Sequence, residues 1–70
     1  MTQCEQVLHH MQTLGSITSL EAMQEYGIMR LASRITDLRR QSVAITKQTV
    51  KGKNRYGEVI AYAAYRLEEA

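Results

Sequence analysis

The chain has 70 residues, which is near the lower limit at which one domain buries enough surface to fold alone. Its 44% of hydrophobic residues and lack of low-complexity tracts exclude a disordered protein, and no apolar run predicts a membrane span or a signal peptide. The single cysteine excludes an internal disulfide and favours a reducing compartment such as the cytoplasm, and the formal net charge is +2.

The first predicted element is a helix over roughly residues 3–14. Thr2 and Glu5 have the spacing of a capping box, in which each side chain accepts the other residue's backbone N–H. Apolar residues then recur at helical spacing, namely Cys4, Val7, Leu8, Met11 and Leu14. Gly15 is the residue type most often found after a helix, and residues 16–17 predict a short extended link.

A helix-turn-helix is predicted next. The start signal recurs at Thr18 and Glu21 and predicts a short helix over 19–26. The inward face of that helix is predicted to hold Leu20, Met23 and Tyr26. A tight turn carrying Gly27 and Ile28 leads to a longer helix over about 29–41, whose apolar period is Leu31, Ala32, Ile35 and Leu38. Two helices joined by a short glycine-containing turn are typical of the helix-turn-helix.

After Ser42 the apolar period changes from 3.6 to 2, which predicts strands. The first strand continues to Val50, and a turn over 51–57 carries two glycines. The second strand has its core-facing residues at Val59, Ala61, Ala63, Tyr65 and Leu67. The predicted fold class is therefore α+β: a winged helix-turn-helix of three helices and a C-terminal hairpin wing, with room for a short third strand near Ile17, in one domain over 1–70.

Positive charge is concentrated on the second half of this arrangement. Eight of the nine Lys and Arg residues lie between Arg30 and Arg55, with Asp37 as the one acid among them. The 29 residues before Arg30 hold three acids and no Lys or Arg. A small domain with its charge on one segment has a local field suited to a polyanion.

The predicted third helix supplies the first group of DNA-binding candidates. They are Met29, Arg30, Ser33, Arg34, Asp37 and Arg40. Opposite the apolar stripe of the helix lie Arg30, Ser33, Asp37 and Arg40, with Met29 and Thr36 on one flank and Arg34 and Gln41 on the other. In a helix-turn-helix this face lies in the major groove, where Arg can bridge guanine, Ser can serve either base type and Asp can accept from a cytosine amino group. The alternative is the solvated charged face of an ordinary amphipathic helix.

The predicted wing supplies the second group. Its candidates are Lys47, Lys51, Lys53, Asn54 and Arg55. They would lie along the phosphate backbone or enter the minor groove, and the alternative is a hairpin kept soluble by its charges. Thr18 and Ser19, at the start of the second helix, could donate to a phosphate. An equal alternative is that these two residues only cap the second helix and do not contact DNA.

Six blocks of the sequence carry a resemblance to a known family. They are Gly15–Ala22, Tyr26–Ile28, Arg30–Ala32, Arg34–Ile35, Leu38–Arg39 and Tyr62–Leu67. The pattern resembles the small winged helix-turn-helix proteins of bacteriophages and prophages, which implies a DNA-binding regulator or accessory factor in the cytoplasm of a bacterial host. That family usually has Gly where this chain has Ser42, so the exit from the third helix is where a departure is expected.

The sequence contains no pattern that predicts catalysis, a cofactor or a metal site. No nucleophile–base pair, phosphate-cradling glycine loop or carboxylate cluster predicts an enzyme, and no cofactor is implied. Cys4 is predicted to be a buried, inert thiol. His9 is predicted to be exposed and His10 lateral, and adjacent positions on a helix make a poor metal pair. No metal site is therefore expected.

The sequence predicts a sequence-specific protein that binds double-stranded DNA, such as a phage or prophage transcriptional regulator or a recombination accessory factor. A repressor and an excisionase-like factor need the same groove-reading unit. Because one small monomer offers little contact area, a homodimer is expected, joined by the first helix or by the final strand with Tyr62, Tyr65 and Leu67. The alternative is a protein-interaction module that inhibits a host protein or defence complex.

Overall fold

Residues 1–68 of the chain, which a computed structural model describes, form three helices and one three-stranded sheet. In chain order the elements are α1 (Gln3–Leu14), β1 (Ile17–Thr18), α2 (Ser19–Tyr26), α3 (Leu31–Arg40), β2 (Ile45–Lys53) and β3 (Val59–Leu67). The α+β class and the order of a winged helix-turn-helix are confirmed.

Both predicted capping boxes are formed. At the start of α1 the Thr2 hydroxyl accepts the Glu5 N–H at 3.1 Å, and the Glu5 carboxylate accepts the Thr2 N–H at 3.0 Å. The same exchange between Thr18 and Glu21 starts α2, at 3.2 and 2.9 Å. Each box satisfies backbone donors that the first turn of a helix leaves free, which explains why both helix starts could be predicted.

The turn before α3 is longer than predicted. Gly27 has a left-handed backbone (φ 68°) that ends α2, and the next residue, Ile28, is buried. This buried side chain fixes the turn, and the backbone of Arg30 is not helical (φ −124°, ψ 66°). The prediction that the helix spans 29–41 is therefore wrong at its start, since Met29 and Arg30 precede α3.

The exit from α3 departs from the usual pattern at the predicted position. Ser42 has a left-handed φ of 68°. Its N–H donates to the Arg39 carbonyl at 3.1 Å, and the Val43 N–H donates to the Leu38 carbonyl at 3.1 Å. These two bonds form a Schellman motif with Ser at the position that Gly usually takes.

The sheet has the strand order β1-β3-β2, and both pairings are antiparallel. The hairpin is paired from Ile45 opposite Leu67 to Lys53 opposite Val59. Lys51 and Lys53 thus belong to β2, which corrects the predicted turn over 51–57 to a loop over 54–58. The strands extend further because Asn54 closes the loop, with its side-chain oxygen accepting the N–H groups of Tyr56 (2.9 Å) and Glu58 (3.1 Å).

The core lies between the three helices and the base of the sheet. Its buried members are Val7, Met11, Ile17, Ala22, Ile28, Leu31, Ile35, Leu38, Ile45 and Tyr65. The predicted inward face of α2 is wrong in part, since Leu20 is 58% and Met23 43% exposed. Ala22 faces the core instead, because its small side chain lets this two-turn helix approach its neighbours closely.

His10 belongs to the interior, and its predicted lateral position is wrong. The side chain is 3% exposed. Its Nδ1 lies 2.7 Å from the Tyr26 hydroxyl, and the two rings meet edge to face. The Glu21 carboxylate lies 3.8 Å from Nε2 of His10. Tyr26 therefore links α2 to α1 through a partly buried polar contact. Cys4 is half-buried against the core.

Candidate nucleic-acid interface

The outward face of α3 differs from the predicted one. Leu31, Ile35 and Leu38 are buried, as expected. Ser33, Arg34 and Asp37 are half-buried, whereas the most open positions on the helix are Ala32, Thr36, Arg39 and Arg40. Placing Ala32 in the apolar stripe was therefore wrong, and the open face is centred nearer to Thr36 than the spacing predicted.

Two of the arginines on α3 have partners within the protein. Arg34 Nη2 lies 3.1 Å from Asp37 Oδ2, one turn along the helix. Arg39 Nη2 donates to the Ile45 carbonyl at 3.0 Å and so joins the end of α3 to the start of β2. Arg39 is for this reason a structural residue. The Arg34–Asp37 pair is about one third exposed, so its worth is about 0–1 kcal/mol and a base or phosphate can compete for either member.

The two remaining arginines of this region lie at opposite ends of α3. Arg30 precedes the helix and Arg40 is its last residue, and both are exposed. Within residues 1–68 neither side chain has an ion-pair or hydrogen-bond partner. Ten residues of helix separate them by about 15 Å. Met29, beside Arg30, is 77% exposed.

The start of α3 lacks the features that start the other helices. Arg30 occupies the N-cap position without a side-chain hydrogen bond to the helix, and the first turn contains no acid. Arg is a poor N-cap, and a positive charge near a helix N-terminus is repelled by the helix dipole. A cation therefore lies where the backbone donors of α3 favour an anion.

The three wing lysines share one face of the hairpin. Lys47, Lys51 and Lys53 alternate along β2, so their side chains project to the same side of the sheet. At the base this side carries Ile45 and Tyr65, which pack into the core. The lysines are exposed because the hairpin continues beyond the helices, and nine residues of strand span about 30 Å. The basic side of the wing is thus continuous with the side of the sheet that packs into the core at its base.

The tip of the wing presents one predicted and one unexpected residue. Arg55 is exposed, as expected, but the oxygen of Asn54 is used within the turn. Tyr56 is 78% exposed and was not a site prediction. The signal for it was present, since an aromatic residue between Asn54 and Gly57 in a tight loop cannot reach a core. Ala32 on α3 was likewise missed as a surface position, and Thr36, which was predicted to flank the outward face, was not a site prediction.

Thr18 and Ser19 lie apart from α3. The Thr18 hydroxyl accepts the Glu21 N–H as a helix cap, and Ser19 is exposed beside it. Both line a cleft of about 690 Å³ between the start of α2 and the wing, together with Lys53 and Tyr62. The structure brings these two residues near the wing rather than near the open face of α3.

No group of three or more His, Cys, Asp or Glu side chains within residues 1–68 could hold a metal ion. The helices in the same part of the chain are all too short or too polar to cross a membrane.

Comparison with known proteins gives a family for the whole fold. A family model described as a winged helix-turn-helix domain matches residues 2–70. No curated protein and no solved structure matches the chain. The family's fold is a DNA-binding and typically non-enzymatic one. Because the match covers nearly every residue and the observed topology agrees with it, the chain belongs to the winged helix-turn-helix domain family.

Proposed function

We propose that the protein binds double-stranded DNA in a sequence-specific manner, with α3 in the major groove and the wing on the backbone or in the minor groove. The observation that carries this proposal is the start of α3. Arg30 and Met29 are exposed there, beside an uncapped helix N-terminus. Residues near the start of a recognition helix lie closest to base edges, and a phosphate or a guanine edge would remove the electrostatic cost of Arg30.

The open face of α3 carries both polar and apolar side chains, which suit the hydrogen-bonding groups and methyl groups of bases in the major groove. Arg30 can bridge guanine, and Ser33 can donate to or accept from a base. Ala32 offers a methyl group to a thymine methyl. Thr36 donates its hydroxyl hydrogen to the Ala32 carbonyl at 3.0 Å, which leaves its oxygen as an acceptor. Arg40, at the far end of the helix, is proposed to contact a phosphate.

Arg34 and Asp37 are proposed to act as a unit. With its guanidinium paired at 3.1 Å, Arg34 is oriented before DNA arrives, and Asp37 can accept a cytosine amino group while keeping Arg34 in place. The same pair would repel or fail to match bases that offer the wrong donor pattern, which contributes discrimination rather than affinity.

The wing is proposed to supply affinity. Lys47, Lys51 and Lys53 form one row, and Arg55 extends it at the tip. Tyr56 beside Arg55 can lie against sugars in the minor groove while Arg55 enters it. Asn54 shapes the loop that presents both residues. Its amide nitrogen donates to the Glu58 carboxylate at 3.5 Å and keeps a second hydrogen for a phosphate. Thr18 and Ser19 are proposed as a secondary phosphate contact near Lys53.

The biological role that we propose follows the resemblance to phage and prophage proteins. A transcriptional regulator, for example a repressor, and an excisionase-like recombination factor are both compatible with this interface, in the cytoplasm of a bacterial host. The alternative is a module that inhibits a host protein or defence complex through the same basic face. Duplex binding separates the alternative from the leading proposal.

The experiment is a salt titration on a duplex selected from a random library. If α3 and the wing neutralise four to six phosphates, log affinity should fall against log salt with a slope of about −4 to −5. Lys51→Ala, Lys53→Ala and Arg55→Ala should each reduce that slope by about one. Arg66→Ala removes an equal charge from the opposite face of the hairpin and should leave the slope unchanged.

Two outcomes would oppose the proposal. Absence of duplex binding at low salt would favour a protein partner. An Arg66→Ala effect equal to that of the wing lysines would show that net charge, and not this face, attracts DNA.

A further inference from the structure

We propose that Met29 and Arg30 together recognise one step of the DNA sequence, in which a pyrimidine with a 5-methyl group precedes guanine. Thymine and 5-methylcytosine both present this methyl group in the major groove. Such recognition rests on the proposed function, because it requires the start of α3 to lie at the base edges. It adds a response to cytosine methylation, which a basic face alone does not provide.

The backbone that carries Met29 and Arg30 is fixed on both sides. Ile28 precedes the pair and Leu31 follows it, and these two residues are 1% and 2% exposed. The N–H of Ile28 donates to a carbonyl of α2 at 3.1 Å, and the carbonyl of Arg30 accepts an N–H of α3 at 3.1 Å. The pair therefore projects to solvent from a backbone that is ordered before DNA arrives, which lowers the entropic cost of binding.

Neither side chain of the pair is used within the fold. Met29 is 77% exposed and is not among the side chains that pack against the core. Arg30 has no ion-pair or hydrogen-bond partner within residues 1–68, whereas Arg34 and Arg39 both have one. A flexible thioether chain and a guanidinium available to a ligand thus lie on adjacent residues, whose Cα atoms are about 3.8 Å apart.

The chemistry of the two side chains selects a pair of groups in the major groove. Guanine is the base whose N7 and O6 accept two hydrogen bonds from one arginine. The C5-methyl of thymine is the one apolar group on the major-groove edges of the base pairs, and 5-methylcytosine carries the same group. Contact with polar base edges would desolvate them without replacing their hydrogen bonds, since a thioether is a poor partner. Met29 therefore favours a methyl group beside the guanine that Arg30 binds.

The positions of the two groups place the methylated base on the 5′ side of the guanine. A guanidinium that makes two hydrogen bonds to guanine lies in the plane of that base, and the next base of the strand is about 3.4 Å away. In a right-handed duplex the C5 group of the 5′ pyrimidine projects beside the N7 edge of the following guanine. Its methyl group then contacts the face of the Arg30 guanidinium, and Met29 covers the side of the methyl group that water would otherwise contact.

Recognition of this step makes binding sensitive to the methylation of cytosine. Cytosine and 5-methylcytosine pair with guanine in the same way and differ by the methyl group that Met29 covers. A site with cytosine before the guanine should therefore bind more tightly once that cytosine is methylated. Burial of one methyl group corresponds to about a fourfold change in affinity.

The experiment compares duplexes that differ by one methyl group. The guanine bound by Arg30 in the selected duplex is located with 7-deazaguanine, which removes N7 and should weaken binding of wild type but not of Arg30→Ala. The base on its 5′ side is then made thymine, uracil, 5-methylcytosine or cytosine. Fluorescence anisotropy at one salt concentration gives the affinity of wild type, Met29→Ala and Leu14→Ala for each duplex. Leu14 is the control, because it is 67% exposed on α1 and outside the proposed interface.

Wild type and Leu14→Ala should bind the thymine duplex about fourfold more tightly than the uracil duplex, and the 5-methylcytosine duplex about fourfold more tightly than the cytosine duplex. In Met29→Ala both ratios should fall below about twofold, because alanine leaves the methyl group in contact with water. Ratios near one in wild type, or ratios that Met29→Ala leaves unchanged, would overturn the role of Met29. A methyl effect in the thymine pair alone would overturn the response to methylation.

These outcomes are separable from failure of the proposed function. Methyl-independent binding with the expected salt slope would reject the role of Met29 and keep the proposed function. Absence of duplex binding at low salt would reject both. A selected duplex in which no guanine depends on Arg30 would place that side chain away from the bases and would overturn recognition of the step.

Discussion

α1 and α2 begin and end on residue types that favour those positions, whereas α3 does not. Each of the first two helices has Thr at the N-cap, Glu three residues later and Gly after the last turn. α3 has Arg30 at its N-cap and Ser42 in a left-handed conformation after it. The helix that is proposed to bind DNA is thus the helix whose two ends depart from local preference.

This difference between the helix ends suggests that α1 and α2 are selected for folding and that another requirement selects the ends of α3. Caps stabilise α1 and α2, so their ends are optimised for folding. Departures from local preference in a native protein are expected at functional sites, where another requirement decides the residue. Arg30 disfavours the isolated helix, and its proposed role is a contact with DNA. Substitutions at the ends of all three helices therefore test whether stability and binding can be separated.

The largest effect is expected at Arg30. Arg30→Asp supplies an N-cap and an acid near the helix dipole, so the protein should gain about 0.5–1.5 kcal/mol of stability. The same change should weaken binding to the selected duplex by about 1–3 kcal/mol or more, through the lost base contact and the reversed charge. Chemical denaturation measures stability, and fluorescence anisotropy measures affinity.

Gln3→Asp is the matched control, because it adds an acid to the first turn of α1, away from the proposed interface. It should change stability by a few tenths of a kcal/mol and leave affinity unaltered apart from a small general charge effect. If Arg30→Asp lowers stability and affinity together, Arg30 stabilises the folded protein, and the ends of α3 do not differ in purpose from those of α1 and α2.

The second largest effect is expected where a substitution removes the N-cap of α2 or α1. Thr18→Ala should cost about 1–2 kcal/mol and Thr2→Ala about 0.5–1 kcal/mol, because the cap of α2 is partly buried and joins β1 to the helix, whereas that of α1 is exposed. Thr18→Ser keeps the oxygen and should restore most of the loss. A DNA-binding defect in Thr18→Ser, with normal stability, would instead assign the Thr18 methyl group to the interface.

The sequence allowed the fold to be predicted where structure is local. Capping boxes, glycines after helices and two-residue alternation each act within a few residues, so α1, α2 and the hairpin were located. The inward side of α2 was mispredicted because eight residues contain only two turns, and Leu20 and Met23 suggested a stripe that Ala22 replaces. The burial of His10 depends on Tyr26, sixteen residues away, and no local pattern contains such a contact.

The sequence indicated which segments carry the candidate site, but not the contacts that its side chains make. Charge concentration located α3 and the wing. It could not show that Arg39 binds the Ile45 carbonyl or that Arg34 is paired with Asp37, because these partners depend on side-chain geometry. The position of Tyr56 in a tight loop indicated an exposed ring, and its 78% exposure agrees with that.

A smaller effect is expected at the C-terminal end of α3. Ser42→Gly should stabilise the protein by about 0.5–1 kcal/mol, since a left-handed non-glycine residue costs about 1–2 kcal/mol and glycine's greater freedom in the unfolded chain offsets part of the gain. Ser42→Ala retains the strain and should give no gain. Equal melting temperatures for the three proteins would show that the Schellman bonds of Ser42 and Val43 relieve the strain. A weaker affinity of both variants would assign the hydroxyl to DNA.

The smallest effect is expected at low pH. It depends on Glu5 in the first turn of α1, whereas the first turn of α3 has no carboxylate. The Thr2 backbone N–H, and then the Thr2 hydroxyl, hold the pKa of Glu5 below its ordinary value of 4.5. A carboxyl group with a lowered pKa in the folded state contributes stability that is fully present above its unfolded pKa and is lost as pH falls through the folded pKa.

Wild-type protein should therefore lose stability relative to Glu5→Gln as the pH decreases below about 4.5, although Glu5→Gln is the less stable of the two at pH 7. Because Glu5 is fully exposed, solvent screens the interaction and the difference should be small. Glu25→Gln, on the exposed side of α2 and outside either capping box, is the control. Denaturant midpoints from pH 7 to pH 3 measure the difference. A Glu25→Gln curve that follows that of Glu5→Gln would attribute the pH dependence to overall charge and not to the cap.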